Sequence, residues 1–159
     1  MKAVPYASAV GSLHYAQVCT RPDLAFVTGL LGRFQSNPGM EHWKLVNKVL
    51  RYLQGTKGLM LTYRRSESLQ LVGYSDSNYA GDDRKSTSGY VFTLAGGAIS
   101  WKSSKQTVTT SSTMYAEFVA CYEASGQVNW LKKFILGLKV VSICFSCRKL
   151  TVCSSMYAP

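Results

Sequence analysis

Two carboxylates are the best candidates for chemistry in this sequence. Asp76 stands at the end of a strand-like run that begins at Leu69, and Glu117 stands in a helix-like segment. Two further strand-like runs joined by short turns lie between them, so one sheet edge could bring both residues together. Carboxylate oxygens are the ligands that hard divalent cations prefer. The spacing therefore predicts part of a divalent-metal site at Asp76 and Glu117.

Three strand-like runs are needed to position Asp76. The first run ends at Asp76, the second covers 89–94, and the third covers 98–102 after a predicted turn at 96–97. Short connections between consecutive strands favour antiparallel pairing of neighbours. Upstream, apolar residues alternate over 59–63, which predicts a further strand that forms a hairpin with the first run.

A long helix is predicted to carry Glu117, from about residue 112 to 138, because its apolar residues recur at three- and four-residue steps. Strands followed by such a helix predict an α+β domain with the helix packed over the sheet. The predicted buried face consists of Ala116, Val119, Ala120, Ala124, Val128, Leu131, Phe134, Ile135 and Leu138.

The first 57 residues predict a helical unit. A helix should start near Pro22, with Thr20 as its cap, and another should cover about 41–54, with Gly55 as its C-terminal cap. The second of these helices has a predicted apolar face of Trp43, Val46, Val49, Leu50 and Leu53.

The net charge of +10 predicts a polyanionic partner such as nucleic acid. Lys44, Lys48 and Arg51 follow at i, i+4 and i+7, so they share a helix face that could follow a phosphate backbone. The alternative is a solvated face on an ordinary amphipathic helix, and both interpretations stay open.

The composition indicates a globular protein with no membrane segment. Of the 159 residues, 47% are apolar, but no run is long enough to span a bilayer. Five cysteines without a framework are typical of a reducing compartment, so an intracellular location is expected over secretion. Cys144 and Cys147 lack the second ligand pair that a zinc site needs.

Several runs together resemble the Pol polyprotein of copia-type LTR retrotransposons. The resemblance spans about residues 5–140 and corresponds to the segment that joins the reverse transcriptase to its RNase H domain, plus most of that domain. Its motifs are YASAVGSL at 6–13, TRPD at 20–23, HWK at 42–44, RYLQGT at 51–56, GYSDSNYAGD at 73–82, RKSTSGY at 84–90 and SSTMYAEF at 111–118.

The resemblance implies three parts: a helical connector over 1–57, an incomplete RNase H-like domain over 58–140, and a divergent tail over 141–159. It maps the family's first catalytic Asp to Asp76 and its catalytic Glu to Glu117. The implied reaction is hydrolysis of RNA in RNA–DNA hybrids, with two Mg²⁺ ions about 4 Å apart held by carboxylates. The implied partners are a hybrid duplex and the rest of a Pol polyprotein. Arg84, Lys85, Lys102 and Lys105 cluster near the site in sequence and could bind such a duplex, and the alternative, which stays open, is that these cations only make the surface soluble.

The departures from the family concern the remaining acids. The sequence has no Asp or Glu after Glu123, and a loose alignment of LTVCSS with the family's next strand places Ser154 where an Asp belongs. We therefore expect an incomplete Mg²⁺ site and an inactive nuclease. Two alternatives are a non-catalytic basic nucleic-acid-binding or interaction protein, and an unstable pseudogene product whose sheet lacks its later elements.

Overall fold

The computed structural model describes residues 4–65, 69–80 and 85–138, and the backbone of 145–149. The chain divides into two compact units, Met1–Leu61 and Thr62–Pro159. The first unit is helical, and the second combines a sheet with one helix. This is the α+β organisation that the sequence predicts. In the part of the chain that is described, no helix combines the length and the apolar character that crossing a membrane requires.

The first unit is formed by three α-helices around a common core. They are α1 (Tyr6–Cys19), α2 (Ala25–Gly32), which follows a 3₁₀ turn at Pro22–Leu24, and α3 (Met40–Gly55). Apolar residues at helical spacing on each element meet in this core, as expected for amphipathic helices. The buried core residues are Tyr6, Val10, Leu13, Leu24, Val27, Leu31, Val46 and Val49.

Three details of this unit differ from the sequence prediction. Thr20 ends α1 instead of capping the next helix, whose 3₁₀ turn is preceded by Arg21. Gly55 is the last residue of α3, and Thr56 follows as the cap. Leu50 is 42% exposed, although the periodicity placed it on the buried face. The apolar face of α3 that packs on the core therefore excludes Leu50 and consists of Val46 and Val49, with the partly buried Trp43, Leu45 and Leu53 beside them.

The second unit contains a four-stranded sheet in the order β3-β2-β1-β4. Its strands are β1 (Leu71–Asn78), β2 (Thr87–Leu94), β3 (Gly97–Lys105) and β4 (Phe145–Lys149). The first three form the predicted antiparallel meander, and β4 runs parallel to β1. The C-terminal region thus supplies a strand, and β1 becomes an interior strand.

The turn between β2 and β3 is shifted by one residue from its predicted position. Ala95 and Gly96 both have positive φ, 54° and 81°, which is the requirement of a tight type I′ hairpin turn. Gly97 instead begins β3, where an added Cβ would lie 2.6 Å from the Tyr63 ring and 2.8 Å from the Thr62 carbonyl oxygen. Its small size thus permits the close approach of the preceding segment.

The predicted strand over 59–63 is wrong. The segment instead contacts the β2–β3 turn through the Arg64 amide, which donates to the Ala95 carbonyl at 2.8 Å, and through the Tyr63 hydroxyl, which donates to the Ala98 carbonyl at 2.8 Å. Leu59 and Met60 are 66% and 77% exposed. The apolar residues do alternate, but the segment forms separate hydrogen bonds of this kind and not the regular backbone hydrogen-bond ladder that defines a strand.

Helix α4 (Thr113–Gly137) packs across β1 and β2. The Ser112 hydroxyl caps it by accepting from the Tyr115 amide at 3.1 Å. Its buried residues are Ala116, Ala120, Ala124, Leu131 and Ile135, as predicted. Phe134 and Leu138, which the periodicity also placed in the core, are 52% and 55% exposed. The long helix has more apolar residues than the face that packs on the sheet can accommodate.

Candidate functional site

Asp76 lies near the C-terminal end of β1, where it pairs with Gly89 of β2. Its neighbour Ser75 is buried, whereas Asp76 is half-buried. Successive side chains of a strand point to opposite faces of a sheet. The Asp76 side chain therefore points to the face of the sheet opposite to that of Ser75.

Glu117 is half-buried in the second turn of α4, between two contacts that fix this helix on the sheet. The carbonyl of Ala116 accepts from Gln106 Nε2 at 2.8 Å. One turn later, Cys121 Sγ lies 3.4 Å from Ser75 Oγ. Since Ser75 is the neighbour of Asp76, the two predicted acids lie on contacting segments at the same end of the sheet.

The location of an ion bound by both acids follows from these faces. Helix α4 covers the face of the sheet to which the Ser75 side chain points, whereas the Asp76 side chain points to the opposite face. An ion bound by both acids would therefore lie where the two faces meet, at the carboxyl end of β1. A cleft of about 150 Å³ between β1 and α4 is lined by Ser75 and Cys121 but by neither acid. The cleft is therefore separate from the candidate metal site.

A buried polar cluster joins the segments that carry the two acids. Gln106, just past β3, is 1% exposed, and its Nε2 donates to Ser88 Oγ at 2.9 Å as well as to the Ala116 carbonyl. Ser86 Oγ accepts from the Ala80 amide at 3.2 Å and lies 2.9 Å from Thr110 Oγ1. The cluster thus connects the residues after β1, the start of β2, the end of β3 and the start of α4.

One atom of this cluster has no partner within the described residues: the buried Oε1 of Gln106. An unpaired buried acceptor costs free energy, whereas the two hydrogen bonds donated by Nε2 stabilise the folded state. The sequence signal was the polar run after β3, which was interpreted as a connection to the helix. Sequence reasoning missed the role of Gln106 and of the serines in RKSTSGY.

The backbone of strand β4 runs beside the part of β1 that leads to Asp76. The Cα register pairs Ser75 of β1 with Lys149 of β4. The loose alignment put the strand about five residues later, with Ser154 in the position of an acid, and Ser154 lies outside the described residues. Among the residues that are described, no group of three or more His, Cys, Asp or Glu is arranged to hold a metal.

These donors fit one Mg²⁺ ion better than two. Mg²⁺ is commonly held by one or two carboxylates with water or phosphate oxygens completing its shell, so two carboxylates would be enough protein ligands for one ion. Two ions about 4 Å apart need bridging carboxylates. Burial raises the pKa of the Tyr90 phenol, and the negative charge of a third acid, Glu123, raises it further. Tyr90 of β2 is the register partner of Ser75 in β1, so Glu123 adds negative charge near the strand that carries Asp76.

The predicted basic face of α3 is present in the structure. Lys44, Lys48 and Arg51 are all exposed. Lys44 Nζ lies 2.7 Å from Glu41 Oε1, in an exposed pair one turn apart. Neither Lys48 nor Arg51 forms an ion pair with another described residue. Two of the three cations are therefore available for an anionic ligand.

The basic residues near the sheet do not form one surface. Lys102 and Lys105 are exposed, but they are three residues apart in β3, so the pleat turns them to opposite faces. Lys85 is also exposed, and its Nζ donates to the Thr107 carbonyl at 2.7 Å. Arg84 lies outside the described residues. The three described lysines cannot all contact the same short stretch of a ligand.

In the helical unit, two of the motif runs meet in one polar network. Arg21 Nε and one terminal nitrogen bind the two Asp23 oxygens at 3.0 and 2.7 Å, and the same terminal nitrogen donates to Thr56 Oγ1 at 2.8 Å. The Tyr52 hydroxyl also donates to Asp23 at 2.8 Å. Burial opposes ionisation of Asp23, but the bonds from Arg21 and Tyr52 hold its pKa below the usual value. The TRPD and RYLQGT motifs therefore have a structural role, because their side chains join the segment before α2 to the end of α3. This network of Arg21, Asp23, Tyr52 and Thr56 is called the clamp below.

The fold defines an α+β protein in which Asp76 and Glu117 lie on contacting elements at one end of the sheet. The chain is 51% identical over 142 residues to the retrovirus-related Pol polyprotein from transposon TNT 1-94 of Nicotiana tabacum, covering 87% of this chain and 11% of the polyprotein. It is 35% identical over 137 residues to that from transposon RE2 of Arabidopsis thaliana, covering 85% and 9%. The chain belongs to the retrovirus-related Pol polyproteins of copia-type transposons, which confirms the resemblance.

A further relative differs in kind and in length. The chain is 48% identical over 133 residues to the secreted RxLR effector protein 161 of Plasmopara viticola, covering 82% of this chain and 94% of that protein. By contrast, the chain spans about a tenth of the two Pol polyproteins. Neither a protein-family model nor a solved structure matches the chain.

Proposed function

We propose that this chain is the part of a copia-type Pol polyprotein in which a helical connector precedes an RNase H-like domain. The ancestral activity is hydrolysis of RNA in RNA–DNA hybrids. The observation that carries the proposal is the position of Asp76, at the end of an interior strand that has a parallel neighbour on one side and the helix of Glu117 packed against it. Ligand sites of sheets with parallel strands favour the carboxyl ends of those strands.

In this proposal Asp76 and Glu117 hold a Mg²⁺ ion, which would supply a Lewis acid for the phosphodiester oxygens and lower the pKa of a bound water. The protein contributes placement. The bonds of Gln106 to Ser88 and Ala116 hold the first turn of α4 on the sheet. The contact of Ser75 with Cys121 fixes the next turn of α4 against β1.

We further propose that the hydrolytic activity is lost in this chain. The sequence has no acid after Glu123. The strand beside β1 carries Lys149 at its last paired position. Residues 145–149 of that strand include no Asp or Glu, whereas a two-metal mechanism needs more carboxylates than two.

Nucleic-acid binding is the activity that we propose is retained. Lys48 and Arg51 lie one turn apart on an exposed helix face, so both could contact phosphates of one strand. The net charge of +10 adds long-range attraction to a polyanion. Such binding should weaken steeply with salt and show little sequence preference.

The test uses purified chain, a labelled RNA–DNA hybrid and Mg²⁺, with Asp76→Asn as the matched variant. We expect salt-sensitive binding of the hybrid by both proteins and no cleavage by either. Cleavage by the parent that Asp76→Asn abolishes would overturn the proposed loss of activity and support the ancestral roles of the acids. Absence of binding at low salt would overturn the proposed retained activity.

A second candidate is a non-catalytic binding or interaction protein that acts outside a polyprotein. The relative from Plasmopara viticola favours it, since that protein is only slightly longer than the matched region and is described as a secreted effector. For this chain an intracellular location remains the expectation from its cysteines. If it is instead an unstable pseudogene product, calorimetry will show no cooperative unfolding transition.

A further inference from the structure

A ridge of exposed apolar residues winds along α4 at every fourth position. Six of its seven members are apolar side chains, and each of these is more than half exposed. They are Met114, Phe118, Tyr122, Trp130, Phe134 and Leu138, with Gly126 at the centre. Trp130 and Phe134 stack on each other with ring centroids 5.2 Å apart. Scattered exposed apolar residues are ordinary, but a continuous row marks an interaction surface.

The ridge is symmetric about Gly126. Aromatic residues stand four positions away on both sides, at Tyr122 and Trp130, and again eight positions away, at Phe118 and Phe134. An antiparallel pair of identical helices with its two-fold axis at Gly126 would place each ridge residue opposite its counterpart. A two-fold interface requires this kind of self-complementary surface.

Gly126 has the size that a helix crossing point needs. A glycine inside a helix is destabilising relative to alanine. Among the described residues, none lies within 4 Å of where the Cβ of residue 126 would be. The part of the chain that is described therefore has room for a side chain at this position. Rows of residues at four-residue spacing wind around a helix, and two such rows pack with a crossing angle of about −50° and closest contact at the centre.

The charges of α4 favour an antiparallel partner of the same sequence. Glu117 belongs to the candidate metal site and shares the sheet-facing side of α4 with Ala120 and Ala124. The rest of the N-terminal half carries Glu123 and no basic residue, and the C-terminal half carries Lys132 and Lys133 and no acidic residue. Antiparallel crossing places the acidic half of one helix beside the basic half of the other. Lys133 of one copy then lies at the level of residue 119 of its partner, one turn from Glu123.

We infer that this chain forms a two-fold homodimer in which two α4 helices cross at Gly126, with the tyrosine and tryptophan beside it forming the centre of the interface. The inference is independent of the proposed nuclease ancestry, because it uses neither Asp76 nor the basic face of α3. A hydrophobic central contact with flanking charges of opposite sign is the usual anatomy of such an interface.

The main test is sedimentation equilibrium of the full chain and three variants. We expect a dimer for the parent, and a dissociation constant raised about tenfold or more by Trp130→Lys and by Gly126→Arg, since both alter the centre of the interface. Leu136→Lys is the matched control, because Leu136 is exposed on the same helix but lies off the ridge. It should remain a dimer. Circular dichroism verifies that each variant is folded. If Trp130→Lys unfolds, the dissociation constant of the Gly126→Arg dimer provides the test.

A second test uses the symmetry directly. Gly126→Cys should form an intermolecular disulfide under mild oxidation in excess of the parent, because residues on a two-fold axis face their own copies. The native Cys121 contacts Ser75 instead and should not join that bond. A monomeric parent at every concentration, open-ended oligomers, equal loss of the dimer in Leu136→Lys, or absence of the Gly126→Cys cross-link would overturn the inference.

Discussion

Replacing Gly73 by alanine should destabilise the sheet unit, because Gly73 lies beneath an aromatic ring. Its register partner in β2 is Phe92, which is 1% exposed. A Cβ at residue 73 would lie 2.4 Å from Phe92 Cε1 and 2.7 Å from Cδ1, whereas ordinary contacts begin at 3.4 Å. The ring would have to move by the difference, 3.4 minus 2.4, or about 1 Å, into a core that α4 closes.

Overpacking of this kind costs about 1–3 kcal/mol, so we expect a loss of about 2 kcal/mol for Gly73→Ala. For a unit of this size the loss lowers the Tm by about 10 °C, measurable by calorimetry. Gly89→Ala in β2 is the matched control, since its Cβ would meet the Lys102 carbonyl oxygen at an ordinary 3.7 Å. Its Tm should change little.

The double variant Gly73→Ala with Phe92→Leu separates ring clash from other effects. Phe92→Leu alone should destabilise the core, but the smaller side chain removes the obstacle to the new methyl group. The two losses should therefore sum to more than the loss of the double variant. An unchanged Tm for Gly73→Ala, or strict additivity in this cycle, would refute the packing argument and with it the position of β1 under α4.

Three further results are expected. Gln106→Met keeps the side-chain length but removes two buried hydrogen bonds, so the free energy of unfolding should fall by about 2 kcal/mol in urea titration; a neutral result would mean that these bonds contribute nothing net. The folded-state pKa of Asp23 is lowered, so its stabilisation is present above the ordinary value and lost as pH falls through the folded value. The parent should therefore lose stability below about pH 4, and Asp23→Asn should show a weaker dependence there; equal acid sensitivity would contradict the clamp. Lys48→Glu should reduce hybrid binding and its salt slope more than Lys44→Glu, because Glu41 already pairs with Lys44; equal effects would contradict the available-cation interpretation.

The sequence was sufficient where one element's pattern decides its own structure. The strand that carries Asp76 and the helix that carries Glu117 each show the period of their element, and both form close to the predicted bounds. The antiparallel order of the first three strands follows from short connections. The family resemblance then supplied roles for the two acids, which the positions of β1 and α4 alone would not have given.

The errors arose where a pattern depends on a partner elsewhere in the chain. Residues 59–63 alternate as a strand does, but their contacts with the β2–β3 turn are isolated bonds rather than a ladder. Phe134 continues the helical period of α4, but its side chain lies outside the face that the sheet covers. Arg21 and Tyr52 are 31 residues apart, so their clamp could not be inferred from either motif alone.

The fourth strand changes how the missing acids are understood. The sequence suggested that a neutral residue, Ser154, stands in for an acid on the next strand. The register instead gives β4 to residues 145–149 and pairs Lys149 with the neighbour of Asp76. Adjacent strands lie about 4.8 Å apart, so the backbone of β4 runs beside the carboxyl end of β1. Residues 145–149 include no Asp or Glu, so the strand that pairs with β1 adds no carboxylate to Asp76 and Glu117. A two-metal mechanism needs more carboxylates than these two, and the missing ligands are therefore absent from the neighbouring strand itself.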